Sequence, residues 1–165
     1  MLRNKIDFSL ASLDTINKIY PWIPNSSCIR PKPKDTEKKK ELSLDIQSNW
    51  NSYTDYILYA IFDNKYELNA FNKKIVLIDK DKYQNKWIFK QSMFRYDLIP
   101  ESNHWVLWCI DKDFNFDFPD YFINCIIEEE IKKIIHSELN FQFAWYKNPK
   151  PTIPEFYHVQ VFWTC

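Results

Sequence analysis

The chain contains no glycine in its 165 residues. That absence removes every phosphate cradle built on a glycine-rich loop, including the Walker A loop, the dinucleotide fingerprint and the kinase lid. It also leaves Asn and Asp to fill any backbone position with φ > 0, at some steric cost. Net charge is missing as well. Twenty-two basic residues stand against 22 acidic ones, so no global field draws the protein toward nucleic acid or an anionic membrane. No apolar run approaches the ~18 residues of a membrane-spanning helix. The opening residues MLRNKIDFSLASL lack the apolar centre of a secretory leader. Cysteine is sparse, and Cys28, Cys109, Cys125 and Cys165 show no CxxC spacing. Their apolar neighbours suggest buried free thiols in a reducing compartment. The expectation is a soluble cytoplasmic protein, in the host cytoplasm if viral.

What the chain has in excess is rings. Thirteen Phe, ten Tyr and seven Trp make up 18% of it, and each buries roughly 150–250 Å². A single globular domain over 1–165 can therefore carry a large core for its length. Phe, Ile, Lys, Asn and Tyr together approach half the chain, whereas Arg is scarce beside Lys. This bias reads as the imprint of a low-GC genome such as that of a large DNA virus, a protist or a bacterium.

Apolar spacing places the elements. Leu10, Leu13, Ile16, Ile19 and Tyr20 fit a short helix that Pro21 stops. Residues 21–40 hold four prolines and a Lys-rich end, and read as a solvated loop in preference to a phosphate-binding arm, because no aromatic interleaves the lysines. A helix is expected at about 51–62 with a weaker helical turn before it, then short strands at 73–79 and 86–89. The C-terminal half is clearer. A strand at 104–110 (HWVLWCI) precedes a long helix at 118–139, with Asp117 as N-cap and an apolar stripe of Phe122, Cys125, Ile126, Ile131, Ile134 and Ile135. Strands follow at 141–147 and 158–163. The fold class is α+β: a single small mixed or antiparallel sheet with helices packed on one face.

Few constellations carry chemistry. Asp111, Asp113, Asn115 and Asp117 imitate the start of a calcium loop, but Phe116 and Phe122 occupy the positions that require Gly and a bidentate Glu. An extended segment with rings inward and carboxylates outward fits better. The three histidines lack metal-ligand spacing, and no cofactor is implied. His136 suits a helix C-terminus. His104 and His158 each open an apolar strand, where a sheet meets a loop. If the two imidazoles face one cavity, a polar site is built from them, with Lys147 supplying charge, Asn148 orienting a ligand, Trp108 as a ring wall and Glu155 fixing an imidazole tautomer. In that reading His104, His158 and Glu155 form the catalytic set. Lys147, Asn148 and Trp108 bind a small polar or anionic ligand. The competing reading is a non-catalytic interaction or RNA-binding module using the basic loop and exposed aromatics. Nucleic acid is not favoured, no membrane partner is expected, and the oligomeric state is open.

Three segments in order, His104-Trp-Val-Leu-Trp108, Trp145-Tyr-Lys-Asn-Pro149 and Glu155-Phe-Tyr-His-Val159, resemble the N-acetylglucosamine-induced protein family over roughly 93–163. That resemblance implies a cytosolic domain of unassigned biochemical function. Phe156 stands where the family's last motif carries its first histidine, and the turn at 95–100 keeps only the proline. The stretch at 104–113 is also similar to the first strand of the cap-binding translation initiation factors. It is followed by too short a chain for that fold and by no Trp-Glu pair.

Overall fold

The computed structural model describes residues 33–78, 83, 86–96, 103–111, 117–135, 140–148 and 151–165. The expected helix at 10–20, Cys28, His136 and the middle of the calcium-like segment lie outside them.

Three helices and six strands follow in chain order: α1 (Pro33–Asn49), α2 (Tyr53–Ala60), β1 (Glu67–Leu68), β2 (Lys74–Ile75), β3 (Lys86–Gln91), β4 (Asn103–Ile110), α3 (Asp120–Ile135), β5 (Gln142–Lys147) and β6 (Tyr157–Thr164). The first helix is longer than its sequence suggested. Residues 33–40, read as the end of a loop, form its first two turns. Pro33 opens the helix, where its missing N–H has no intrahelical partner to lose. Lys38 pairs with Asp35 and Lys40 with Glu37 at i, i+3, so the lysines that suggested a solvated loop support the helix instead. Leu42, Ile46 and Trp50 recur every four residues and turn inward.

An N-cap serine starts α2. Ser52 is extended and its hydroxyl accepts the Asp55 N–H, as an N-cap serine should. The Asp55 side chain is buried. It accepts hydrogen bonds from the Val76 N–H at 2.7 Å, the Ser52 hydroxyl and the Asn51 amide. The strand expected at 73–79 is thereby reduced to a two-residue pairing with β1, followed by extended chain pinned to α2. The two φ > 0 positions among the described residues are Asp63 at 56° and Asn72 at 59°. A chain without glycine uses the residues that tolerate this region best.

Strands β3 to β6 form one antiparallel sheet in the order β3-β4-β6-β5. Its class is α+β as expected, and its helices cover both faces. Side chains alternate along each strand. On one face Val106, Trp108 and Ile110 pack with Ile46, Trp50, Ile57 and Leu58 of the N-terminal helices. On the other, Leu107, Cys109, Val159 and Val161 pack with Ile123, Ile127 and Ile131 of α3. The buried line of α3 is thus a strict i, i+4, i+8 row. Phe122 and Cys125, expected in the stripe, are exposed. The helix also starts later than expected. The Pro119 carbonyl accepts its first N–H groups, and Asp117, proposed as its cap, is exposed before it. Asp111 is buried, against the expected outward carboxylate. No helix among the described residues is long and apolar enough to cross a membrane.

Candidate functional site

Register decides where the histidines lie. His104 pairs with Phe162, and Trp108 with His158. The two imidazoles share one face of adjacent strands, but the strands are antiparallel, so their first residues lie at opposite ends. Four residues of strand put the histidine backbones ~13 Å apart along the sheet. The two imidazoles therefore do not converge on one point. Strand β6 lies inside the sheet and borders both β4 and β5.

His104 is 2% exposed. Its Nδ1 accepts the Tyr96 N–H at 3.2 Å, which leaves the ring proton on Nε2, and Nε2 donates to Gln160 Oε1 at 2.7 Å. Its ring stacks on Phe162 at 4.6 Å. Burial pushes the imidazole down to about 4, opposed in part by the bond to Gln160. His104 is a neutral residue with both nitrogens engaged, and it exchanges no proton with a ligand at neutral pH.

His158 is different. Its Nδ1 donates to the Phe156 carbonyl at 3.2 Å, which fixes the neutral tautomer with the lone pair on Nε2. The ring stacks on Trp108 at 4.8 Å and 27°. Burial holds its pKa below the ordinary value, the backbone bond opposes that, and the nearby Lys147 charge lowers it further. The tautomer is set by a backbone carbonyl and not by Glu155. Glu155 is exposed, and it makes no hydrogen bond or ion pair among the described residues.

A cavity of ≈ 280 Å³ lies between this sheet face and the N-terminal helices. Val106, Trp108, His158 and Gln160 form its sheet wall, and Ile46, Tyr53, Tyr56 and Ile57 its helical wall. Met93, Phe94 and Tyr96 close one end. Lys39 and Thr152, both exposed, stand at its boundary. The size is just under the ~300–1,000 Å³ of typical small-molecule sites. Buried side-chain polar atoms without a partner among the described residues are the indole nitrogens of Trp105 and Trp163. The free nitrogens of His158 and Gln160 are not among them, so both reach accessible space.

Of the residues singled out in the sequence, Trp108, Asn148 and His158 line this cavity. Lys147 points to the other sheet face, pairing in register with Val159, and its ammonium sits 5.0 Å over the Tyr157 ring. Lys147, Asn148 and His158 do meet in a smaller recess of ≈ 150 Å³ beside Phe156. A wider, open hollow of ≈ 560 Å³ beside the end of α2 holds none of the predicted residues. Two of its polar groups, Asp63 and Asn64, are already engaged. Asp63 pairs with Lys90 at 3.3 Å, and Asn64 bonds the Leu58 and Phe62 carbonyls and the Tyr83 hydroxyl.

Sequence reasoning missed Tyr53, Tyr56, Tyr96 and Gln160. The signal for Gln160 was present in His158-Val-Gln160-Val-Phe162. Where both faces of a strand are buried, two polar residues at period two mark a face that meets a cavity. Cys109 is buried, with its thiol pushed up to about 12 by burial and by the Asp111 charge, which makes it unreactive. Cys125 and Cys165 are exposed, contrary to the expectation of buried thiols. No group of three or more metal-ligating side chains occurs among the described residues.

Comparison of the chain with protein-family models, with curated proteins and with solved structures finds no match in any of the three.

Proposed function

We propose that this protein binds a small, flat polar molecule in the cavity between the sheet and the N-terminal helices, with His158 as its polar anchor. The observation that carries the reading is the state of that imidazole. One nitrogen is locked to the backbone, the ring is braced on Trp108, and the other nitrogen is an unengaged acceptor in an aromatic-walled hollow. Such preorganised single polar groups on apolar walls are the usual construction of small-molecule sites. Binding is favoured over chemistry, because among the described residues no carboxylate meets the imidazole to complete an acid–base pair. A neutral ligand is favoured over an anion. Lys39 is the one cationic side chain of the described lining, and it is solvated.

The motif resemblance to the N-acetylglucosamine-induced protein family is kept as a proposal alongside this reading. Phe156, in the place of that family's histidine, is buried against Phe62 and supplies only its carbonyl to His158. The RNA-binding alternative loses its main support. The lysines at 34–40 share α1 with Asp35, Glu37, Glu41 and Asp45, which balance them. A thermal-shift screen of neutral heterocycles, phosphorylated sugars and nucleotides, run on the wild type and on His158→Ala, tests the proposal. Neutral heterocycles should stabilise the wild type and lose at least tenfold in affinity with the variant. Ligands that bind His158→Ala as well as the wild type would refute it.

A further inference from the structure

His104 touches no ligand, yet its hydrogen bonds determine what the cavity offers one. The Tyr96 N–H occupies Nδ1, so the proton of the neutral ring is on Nε2. That N–H requires an acceptor, and it takes Gln160 Oε1 at 2.7 Å. An amide whose oxygen is committed must turn its NH2 the other way. Gln160 lines the cavity, and its NH2 has no partner among the described residues. On the same strand and face, His158 presents a lone pair. The backbones of the two residues are ~7 Å apart, two steps of strand. The cavity therefore shows a fixed donor and a fixed acceptor side by side, between aromatic walls.

We infer that the cavity selects uncharged cyclic amides, ligands in which a ring C=O accepts from Gln160 while the ring N–H donates to His158, and that His104 is a positioning residue acting through the Gln160 amide. This rests on the binding reading above and specifies its ligand class. An anion would face the lone pair of His158 and be repelled. A hydrocarbon ring of the same shape would leave both groups desolvated and unpaired, which costs more than a missing methylene.

The test compares four probes on one bicyclic frame, 2-quinolinone, N-methyl-2-quinolinone, naphthalene and quinoline-2-carboxylate, and adds 2-aminoquinoline as a fifth for the variants. Affinities are read by ligand-detected NMR on the full chain, in the wild type, His158→Ala, Gln160→Glu and His104→Phe. In the wild type, 2-quinolinone should bind at least tenfold more tightly than the other three. Gln160→Glu replaces the donor by an acceptor, so it should lose 2-quinolinone at least tenfold and gain 2-aminoquinoline in its ring-protonated form, which offers N–H where the amide offered C=O and keeps a ring N–H for His158. His104→Phe keeps the stacking ring but frees the Gln160 amide to turn over. It should narrow the preference for 2-quinolinone over 2-aminoquinoline while circular dichroism and melting cooperativity stay native. A merely structural histidine would weaken both probes alike. Equal binding of all four probes by the wild type, or unchanged preference in Gln160→Glu, would overturn the inference. If 2-quinolinone binding also survives His158→Ala, the cavity reading falls with it; if it is lost there but indifferent to residues 104 and 160, only this inference falls.

Discussion

Acid should unfold this protein through His104, with a magnitude set by its burial. In the unfolded chain its imidazole titrates near 6.5, while in the fold it is held at about 4. The folded pKa lies below the unfolded one, so the unfolded state takes up the proton first. The contribution is fully present above about pH 7 and is lost as pH falls from about 6.5 toward 4. For these two pKa values linkage gives a loss of about 2 kcal/mol at pH 5 and about 3 kcal/mol below pH 4. His158, also lowered, adds in the same sense. Urea unfolding of the wild type and of His104→Gln from pH 7.5 to 4.5 isolates the His104 share, because glutamine can bond Tyr96 and Gln160 but does not titrate. The wild type should lose about 2 kcal/mol more than the variant by pH 5. Parallel stability curves, or an NMR titration placing His104 near 6.5, would refute the reasoning.

Asp55→Ala should cost about 3 kcal/mol in urea melts, since it removes charge-assisted bonds and strands the Val76 N–H; a cost below about 1 kcal/mol would mean that water replaces the carboxylate. Ile127→Ala, at a fully buried site under α3, should cost about 2–5 kcal/mol. Trp145→Ala should fall at or below the bottom of the ~3–5 kcal/mol range for buried rings, because Trp145 is half-buried with its indole N–H on exposed Asn124. The reverse order would invalidate the assignment of the core. In a Cys28→Ser background a disulfide reagent should label Cys125 and Cys165 within minutes and leave Cys109 unmodified until the protein is unfolded. Mass spectrometry of the labelled peptides reads the outcome.

What the sequence disclosed was periodicity, and what it withheld was pairing. β4, β5 and β6 were legible to within a residue or so, because runs such as HWVLWCI and HVQVFW are too β-branched and aromatic for another use. Trp105 and Trp108, three residues apart on β4, accordingly join different cores. The first two turns of α1 were hidden because Pro and Lys imitate a loop when their acidic partners at i−3 are overlooked. The histidine pair failed for a topological reason. Both open strands, but whether two strand openings meet depends on direction, which no local pattern encodes. His158 kept its place in a cavity, and His104 became a support for Gln160, a residue that only the register could put beside it.

The inner position of β6 has a consequence for how the chain assembles. Gln91 pairs with Trp105, and Lys147 with Val159, so β3–β4 and β5–β6 are each closed by a short connection. The seam between them pairs Cys109 with Tyr157, a loop about four times as long as that from Lys147 to Val159. Closing it costs only about 1.2 kcal/mol more by chain entropy. Two hairpins can therefore form on their own and then dock edge to edge, with α3, which connects them, laid over the seam through Ile123, Ile127 and Ile131. Until that docking, β4 and β6 each expose an unpaired edge of eight aromatic-rich residues, the type of edge that pairs with another chain. Aggregation during refolding should then rise with protein concentration, and mutations within either hairpin, which forms first, should slow folding more than mutations along the β4–β6 seam, which should mainly speed unfolding.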